Sequence, residues 1–322
     1  MSTFQVAETT TGQIGNLIMS YYDRLLLEKL RANLVMYQFA EKKPLPLHSG
    51  LTITWNRYTD MSAASALTEG TVPAQTVTST TKVSATVEQY GAYAQPSDLL
   101  QMTAIDNQIE SLIDLFGYQA SLTVDTRIRN CLLGTSSIPS GAKLPLQFWH
   151  SGTSAGYIGT LSSILGDMDM DTNNLREAAF NLRRLNVRPF EDGNFVAVAH
   201  PNVIKAIEAD TAWTSWNQYN AKETMWKGEV GRIYGIRIVE STNMYSSTSG
   251  AGASTTAYYT PVFGKGCYAV TELDGGVKTY VKNPGNFDTS NPINQYSTVG
   301  WKINFAVQVL HTSAGRILVT AG

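Results

Sequence analysis

The sequence predicts an α+β fold built from one long helix, an extended two-stranded ribbon before it and a mixed α/β body after it. Three observations predict this. Ile105, Ile109, Leu112, Ile113, Phe116, Ala120, Val124, Ile128 and Cys131 recur at three- and four-residue steps, the spacing of an amphipathic helix with one apolar stripe. Strict alternation of apolar and polar residues marks two strands at 51–58 and 82–94. After residue 165, helical and strand patterns interleave, as in a compact α/β domain.

The elements follow in order. Residues 1–16 are polar and Thr-rich and read as an extended or partly ordered arm. From 17 to 39 a helical pattern places Tyr22, Leu26, Leu30 and Leu34 on one face and charges on the other, and Lys43-Pro44-Leu45-Pro46 ends it as an extended linker. Leu51, Ile53 and Trp55 alternate with Thr52, Thr54 and Asn56, and Val83, Ala85 and Val87 alternate with Ser84, Thr86 and Glu88. The long loop between them is small and polar, so the pair forms a projecting hairpin. A two-stranded ribbon is marginally stable alone, which implies support from elsewhere, such as a neighbouring subunit.

The central helix spans 103–134, roughly 45 Å at 1.5 Å per residue. Thr103 with Asp106 has the form of an N-terminal cap, and Gly134 is a natural stop. Residues 135–165 read as an irregular loop. Asp171 or Thr172 caps a helix over 173–186 with Leu175, Ala179 and Leu182 inward. A buried strand follows at 194–199, then a helix opened by Pro201, a Trp-rich piece with Trp213, Trp216, Tyr219 and Trp226, and a strand at 233–240. Residues 246–256 form a low-complexity loop. Strands are predicted at 258–263, 267–271, 277–282, 301–310 and 316–320.

Composition limits the function classes. The chain has 322 residues, 43% hydrophobic, which supports two domains better than one. Net charge is −2 and only 16% of residues are charged, which does not fit a strongly basic nucleic-acid binder. Sixteen Tyr and six Trp suit either broad protein contacts or a β-rich soluble protein. Cys131 and Cys267 lie too far apart for a metal motif and read as buried, reduced thiols. The N-terminus lacks the basic start and apolar run of a signal peptide, and no stretch of 18 apolar residues exists. The expectation is a protein made and kept in a cytosol, with no membrane contact.

No residues converge on chemistry. His48, His150, His200 and His311 sit in four separate segments, and no nucleophile elbow, phosphate loop or dinucleotide turn is present. Asp167, Asp169 and Asp171 alternate, but the Gly and Glu that a calcium loop needs are replaced by Thr172 and Ala178. Asp171 is better placed to start the helix that follows. Arg183, Arg184 and Arg188 read as a solvated helix face, and the Trp-rich group as core or interface. No catalytic, cofactor-binding or metal residue is assigned, no cofactor is expected, and the chain is expected not to be an enzyme.

The N-terminal half resembles the major capsid proteins of tailed bacteriophages with the HK97-like fold, in a branch of short-tailed-phage coat proteins. The resemblance rests on YYDRLLLEKLRANLVMYQFAEKKPLP, Gly50-Leu51-Thr52-Ile53, Arg57-Tyr58-Thr59, Leu67-Thr68-Glu69-Gly70, EQYGAYAQPSDLL and ASLTVDTRIRNCLLG. It covers roughly 20–135; FGKGCYAV and VGWKINFAVQVLHTSAGRILV are less specific landmarks further on. It implies an N-arm (1–45), an E-loop hairpin (46–97), a peripheral domain with the spine helix (98–149), an axial domain of mixed α/β type (150–273), returning peripheral strands (274–312) and a C-terminal strand (313–322). It implies self-assembly as hexamers and pentamers into an icosahedral virion capsid, assembled in the host cytoplasm. The implied partners are copies of itself, a portal protein, a separate scaffolding protein, decoration or cement proteins, and packaged double-stranded DNA held weakly and non-specifically. About twenty residues precede the first helix, so no cleavage of a large prodomain is expected; Lys82 has no identified acceptor, so cross-linking is not expected either. The rival readings are an encapsulin-type shell housing a cargo enzyme, and a metal-dependent hydrolase using Asp167 and Asp169.

Overall fold

The computed structural model describes residues 34–46, 48–59, 75–103, 108–133, 144–149, 157–158, 168–210, 229–248, 256–282, 293 and 295–321, with isolated positions between 61 and 72. A 3-10 turn (Met36–Phe39) comes first, followed by β1 (Glu41–Lys42), β2 (Thr52–Tyr58), β3 (Thr80–Thr86) and β4 (Glu88–Ala94). Two helices follow, α1 (Asp98–Thr103) and α2 (Gln108–Leu133). Next come β5 (Leu146–Trp149), β6 (Tyr157–Ile158), α3 (Thr172–Arg184), β7 (Phe195–Ala199) and α4 (Pro201–Ala209). The remainder is β8 (Glu229–Ile233), β9 (Ile236–Glu240), β10 (Ser246–Ser247), β11 (Ala257–Phe263), β12 (Tyr268–Lys282), β13 (Thr298–Val309) and β14 (Gly315–Thr320). The fold is α+β.

Two sheets organise it. A four-stranded sheet runs β1-β12-β13-β4, and a larger sheet runs β6-β5-β14-β11-β7-β9-β8 with β10 on β11. The apolar stripe of α2 lies on the four-stranded sheet: Ile113, Ala120, Val124, Ile128 and Cys131 share a core with Val299, Trp301, Ile303 and Phe305. The Trp301 indole donates to Gln119 Oε1 of α2 at 3.0 Å, satisfying a donor that would otherwise be buried at a cost. That core also takes in Val196, Val198, Phe263, Ile317 and Val319 of the larger sheet. On the larger sheet's other face, Leu175, Ala178, Ala179 and Leu182 of α3 pack with Val203, Ile204 and Ile207 of α4.

The ribbon is as predicted, with β2 and β3 paired antiparallel from Thr52 opposite Thr86 to Tyr58 opposite Thr80. Its base is seated, because Ile53, Trp55, Ala85 and Val87 cluster with Ala269 and Ala306 of the four-stranded sheet.

Several boundaries differ from the sequence reading. The alternating run 82–94 is two strands: the first pairs with β2, and the second leaves the ribbon to pair with β13. Alternation gives the pleat, while the partner is a tertiary choice. Thr103 does not cap the long helix; it ends α1, its hydroxyl donating to the Leu99 carbonyl at 2.7 Å. Ser97 caps α1 by accepting from the Leu100 amide at 3.3 Å. Part of the loop predicted at 135–165 is strand, since β5 pairs in parallel with β14. The strand predicted at 233–240 is a hairpin, turned at Tyr234 and Gly235 with φ of 51° and 81°. Two successive positive φ values are what a tight hairpin turn requires. The strands predicted at 267–271 and 277–282 are one strand, irregular between Glu272 and Val277, so it passes unbroken through the boundary placed at 273/274.

Candidate functional site

Among the described residues no group of metal-ligating side chains gathers, and the candidate site is the surface that the fold leaves unburied. The ribbon's long connection presents Leu67, Val72 and Val77, and Val72 is 92% exposed, so these side chains gain nothing from the monomer's own core. On α2, Leu115, Tyr118 and Leu122 form a second apolar stripe away from the core, each exposed. On α1, Leu99 and Met102 are exposed as well. Exposed large apolar groups scattered singly need no explanation, but a stripe at helical spacing marks a contact surface.

A groove of about 780 Å3 lies where the arm turn meets the two sheets, lined by Phe39, Phe190, Arg188, Arg237, Lys265 and Asp192 among others. Its floor is aromatic: the Phe39 and Phe190 rings are 5.7 Å apart and both lie edge-on to Phe263, at 6.1 and 6.3 Å. Its rim is charged and paired, with Lys265 to Glu191 at 3.1 Å and Arg237 to Asp192 at 3.5 Å. An apolar floor inside a polar rim is the anatomy of a protein interface.

The arm is tied down by its backbone. Val35 N–H donates to Asp125 Oδ2 of α2 at 3.0 Å, and the Tyr268 hydroxyl donates to the Met36 carbonyl at 2.6 Å. The Tyr37 hydroxyl donates to Glu272, and Lys42 lies 4.2 Å from the centre of the Tyr37 ring.

The residues weighed for chemistry are dispersed. Asp171 caps α3, accepting from the Asn174 amide at 2.8 Å. Asp169 pairs its backbone with Ala321, and Asp167 lies outside the described residues. Among the described residues no group of three or more His, Cys, Asp or Glu is placed to hold a metal ion. His200 caps α4 through its Nδ1, stacks 4.9 Å from Tyr258, and is held below its ordinary pKa by burial. His150, residues 17–33 of the helix expected over 17–39, and the Trp213, Trp216, Tyr219 and Trp226 group also lie outside the described residues, and the described end of that expected helix is the 3-10 turn Met36–Phe39. Arg183 donates to the Tyr234 carbonyl at 2.8 Å and Arg188 lines the groove. Lys82 stands opposite Asn56 on the ribbon. Cys131 and Cys267 are free and buried; burial pushes the Cys131 thiol up to about 11 and Cys267 higher still.

The phage capsid protein family model matches residues 80–316. The chain belongs to the phage capsid protein family. It is a major capsid protein, a subunit of a phage head. No curated protein matches the sequence. Among solved structures, the capsid of Ralstonia phage GP4 is 12% identical with a TM-score of 0.70, the match covering 88% of this chain and 87% of that one. The capsid of cyanophage P-SCSP1u is 14% identical with a TM-score of 0.63, covering 90% and 88%. The head of Helicobacter pylori bacteriophage KHP40 is 10% identical with a TM-score of 0.65, covering 89% and 92%. At these identities the likeness is one of fold.

Proposed function

We propose that this capsid protein assembles as hexamers and pentamers into the icosahedral head of a tailed phage, around packaged double-stranded DNA, and catalyses nothing. The observation that carries the reading is the ribbon: its base is seated on the four-stranded sheet while the described residues of its long connection are exposed. A subunit holding such a segment ready gains stability when a neighbour covers it, by mass action. The four-stranded sheet with α2 corresponds to the peripheral domain, the larger sheet with α3 and α4 to the axial domain, and β2–β3 to the E-loop. On this assignment β4 belongs to the peripheral domain, as does all of β12, while β5 and β14 belong to the axial one. A separate scaffolding protein, a portal and decoration proteins complete the head, which forms in the host cytoplasm. The family match favours a phage head over an enzyme-housing compartment.

The test is negative-stain microscopy with sedimentation, on the chain expressed alone and then with a scaffolding gene from the same genome. Closed shells or capsomer rings are expected. A monomer that persists in both preparations would overturn the reading.

A further inference from the structure

Asp125 lies on the inner face of α2, 3% exposed. Its carboxylate accepts from the Val35 amide, with the amides of Met36 and Tyr37 close enough to favour its charged form. These are the donors at the start of the Met36–Phe39 turn, whose cap residue Val35 offers no side-chain acceptor. Such donors need an acceptor, and here α2 lends it across the fold. The turn is anchored beyond this point, since Met36 is fully buried in the main core.

Among the described residues the carboxylate has no compensating charge. Oδ1 is buried without a hydrogen-bond partner, and among the described residues no cation pairs with Asp125. From β12 the nearby titratable group is Tyr268, itself coupled to Cys267 and Cys131, all three neutral at pH 7 through burial. On α2, Arg129 turns its guanidinium to Asn130 and to the Asn243 carbonyl. On the arm side, Lys42 and Glu272 gather at the Tyr37 ring and hydroxyl.

We propose that Asp125 is a proton-operated lock for the arm: residues 34–40 seat on the long helix with uptake of a proton at Oδ1, and their hold weakens when that proton leaves. Oδ2 goes on accepting the Val35 amide in both states. A carboxylate shut away from water without a cation favours its neutral form, and burial pushes this one up to about 6 from its ordinary 3.8. The seated arm therefore binds a proton that an open, solvated carboxyl releases. Seating strengthens as pH falls from about 6 towards 4 and weakens as pH rises through 6. The lock works within one chain, whatever shell that chain builds.

The experiment is amide hydrogen exchange on the full-length protein at pH 7.5 and 4.5, corrected for intrinsic rates and referenced to amides of β13. Protection at residues 35–37 is expected to rise more than about tenfold on acidification in the wild type. It should stay flat in Asp125→Asn, which is neutral at both values. Wild-type protection that is flat or falls on acidification would overturn the proposal, as would an Asp125→Asn variant that keeps the wild-type slope. The wild-type slope decides alone if the variant does not fold.

Discussion

Asp171, Phe263 and the two cysteines show how single side chains hold this fold. At the start of α3 Asp171 accepts from the Asn174 amide while Asp210 accepts from the Thr172 amide, so Asp171→Ala removes one of two side-chain acceptors and should cost about 1 kcal/mol. Urea denaturation would show it as a lower midpoint with an unchanged slope. Phe263 is fully buried and meets Phe39, Phe190 and Tyr268 edge-on, where the arm turn, the α3–β7 connection and both sheets join. Phe263→Ala should cost about 3–5 kcal/mol, a large share of a typical domain's stability; soluble yield and thermal midpoint would report it. The cysteines were legible from sequence as buried thiols. Raised above their ordinary pKa, neither should react with a thiol reagent at pH 8 in the native protein, and both should react in urea. Rapid native labelling would contradict their burial.

At the scale of elements, the long helix and the ribbon have divided loyalties. The inner stripe of α2 is committed to β13, while Leu115, Tyr118 and Leu122 face away. Replacing Leu115 and Tyr118 with lysine should leave monomer stability within about 0.5 kcal/mol, as surface changes do, yet prevent shells from forming. Circular dichroism and sedimentation run together separate those effects. A loss of helix rather than of shells would show the stripe to be structural. Replacing the ribbon's connection, residues 60–78, with a short turn should likewise give a folded, assembly-defective chain, because the seated base at Ile53, Trp55, Ala85 and Val87 is left intact.

At the scale of the whole molecule, the decisive feature is how far apart in sequence the sheet partners lie. β14, the last strand, sits in the larger sheet between β5 and β11. Removing residues 313–322 should therefore abolish folding, where loss of an ordinary terminus is tolerated; an insoluble product is expected, and a soluble, native-like truncation would refute it. One core runs through both sheets, so the two regions should melt as a single transition in calorimetry.

Periodicity, caps and composition were enough to find the long helix, the ribbon and the Asp171 and Pro201 helix starts, because each is written in residues close together in the chain. The family resemblance was legible for the same reason, in short runs such as EQYGAYAQPSDLL. Local pattern had no means of dividing 82–94 between two sheets, joining 268–282 into one strand, or making 146–149 a strand, since each depends on a partner distant in sequence. Nor could it tell Asp125 from any other polar residue on a helix. Its amide partner, Val35, reaches it only because the arm returns to cross α2, and tertiary packing alone decides which charge is hidden from water.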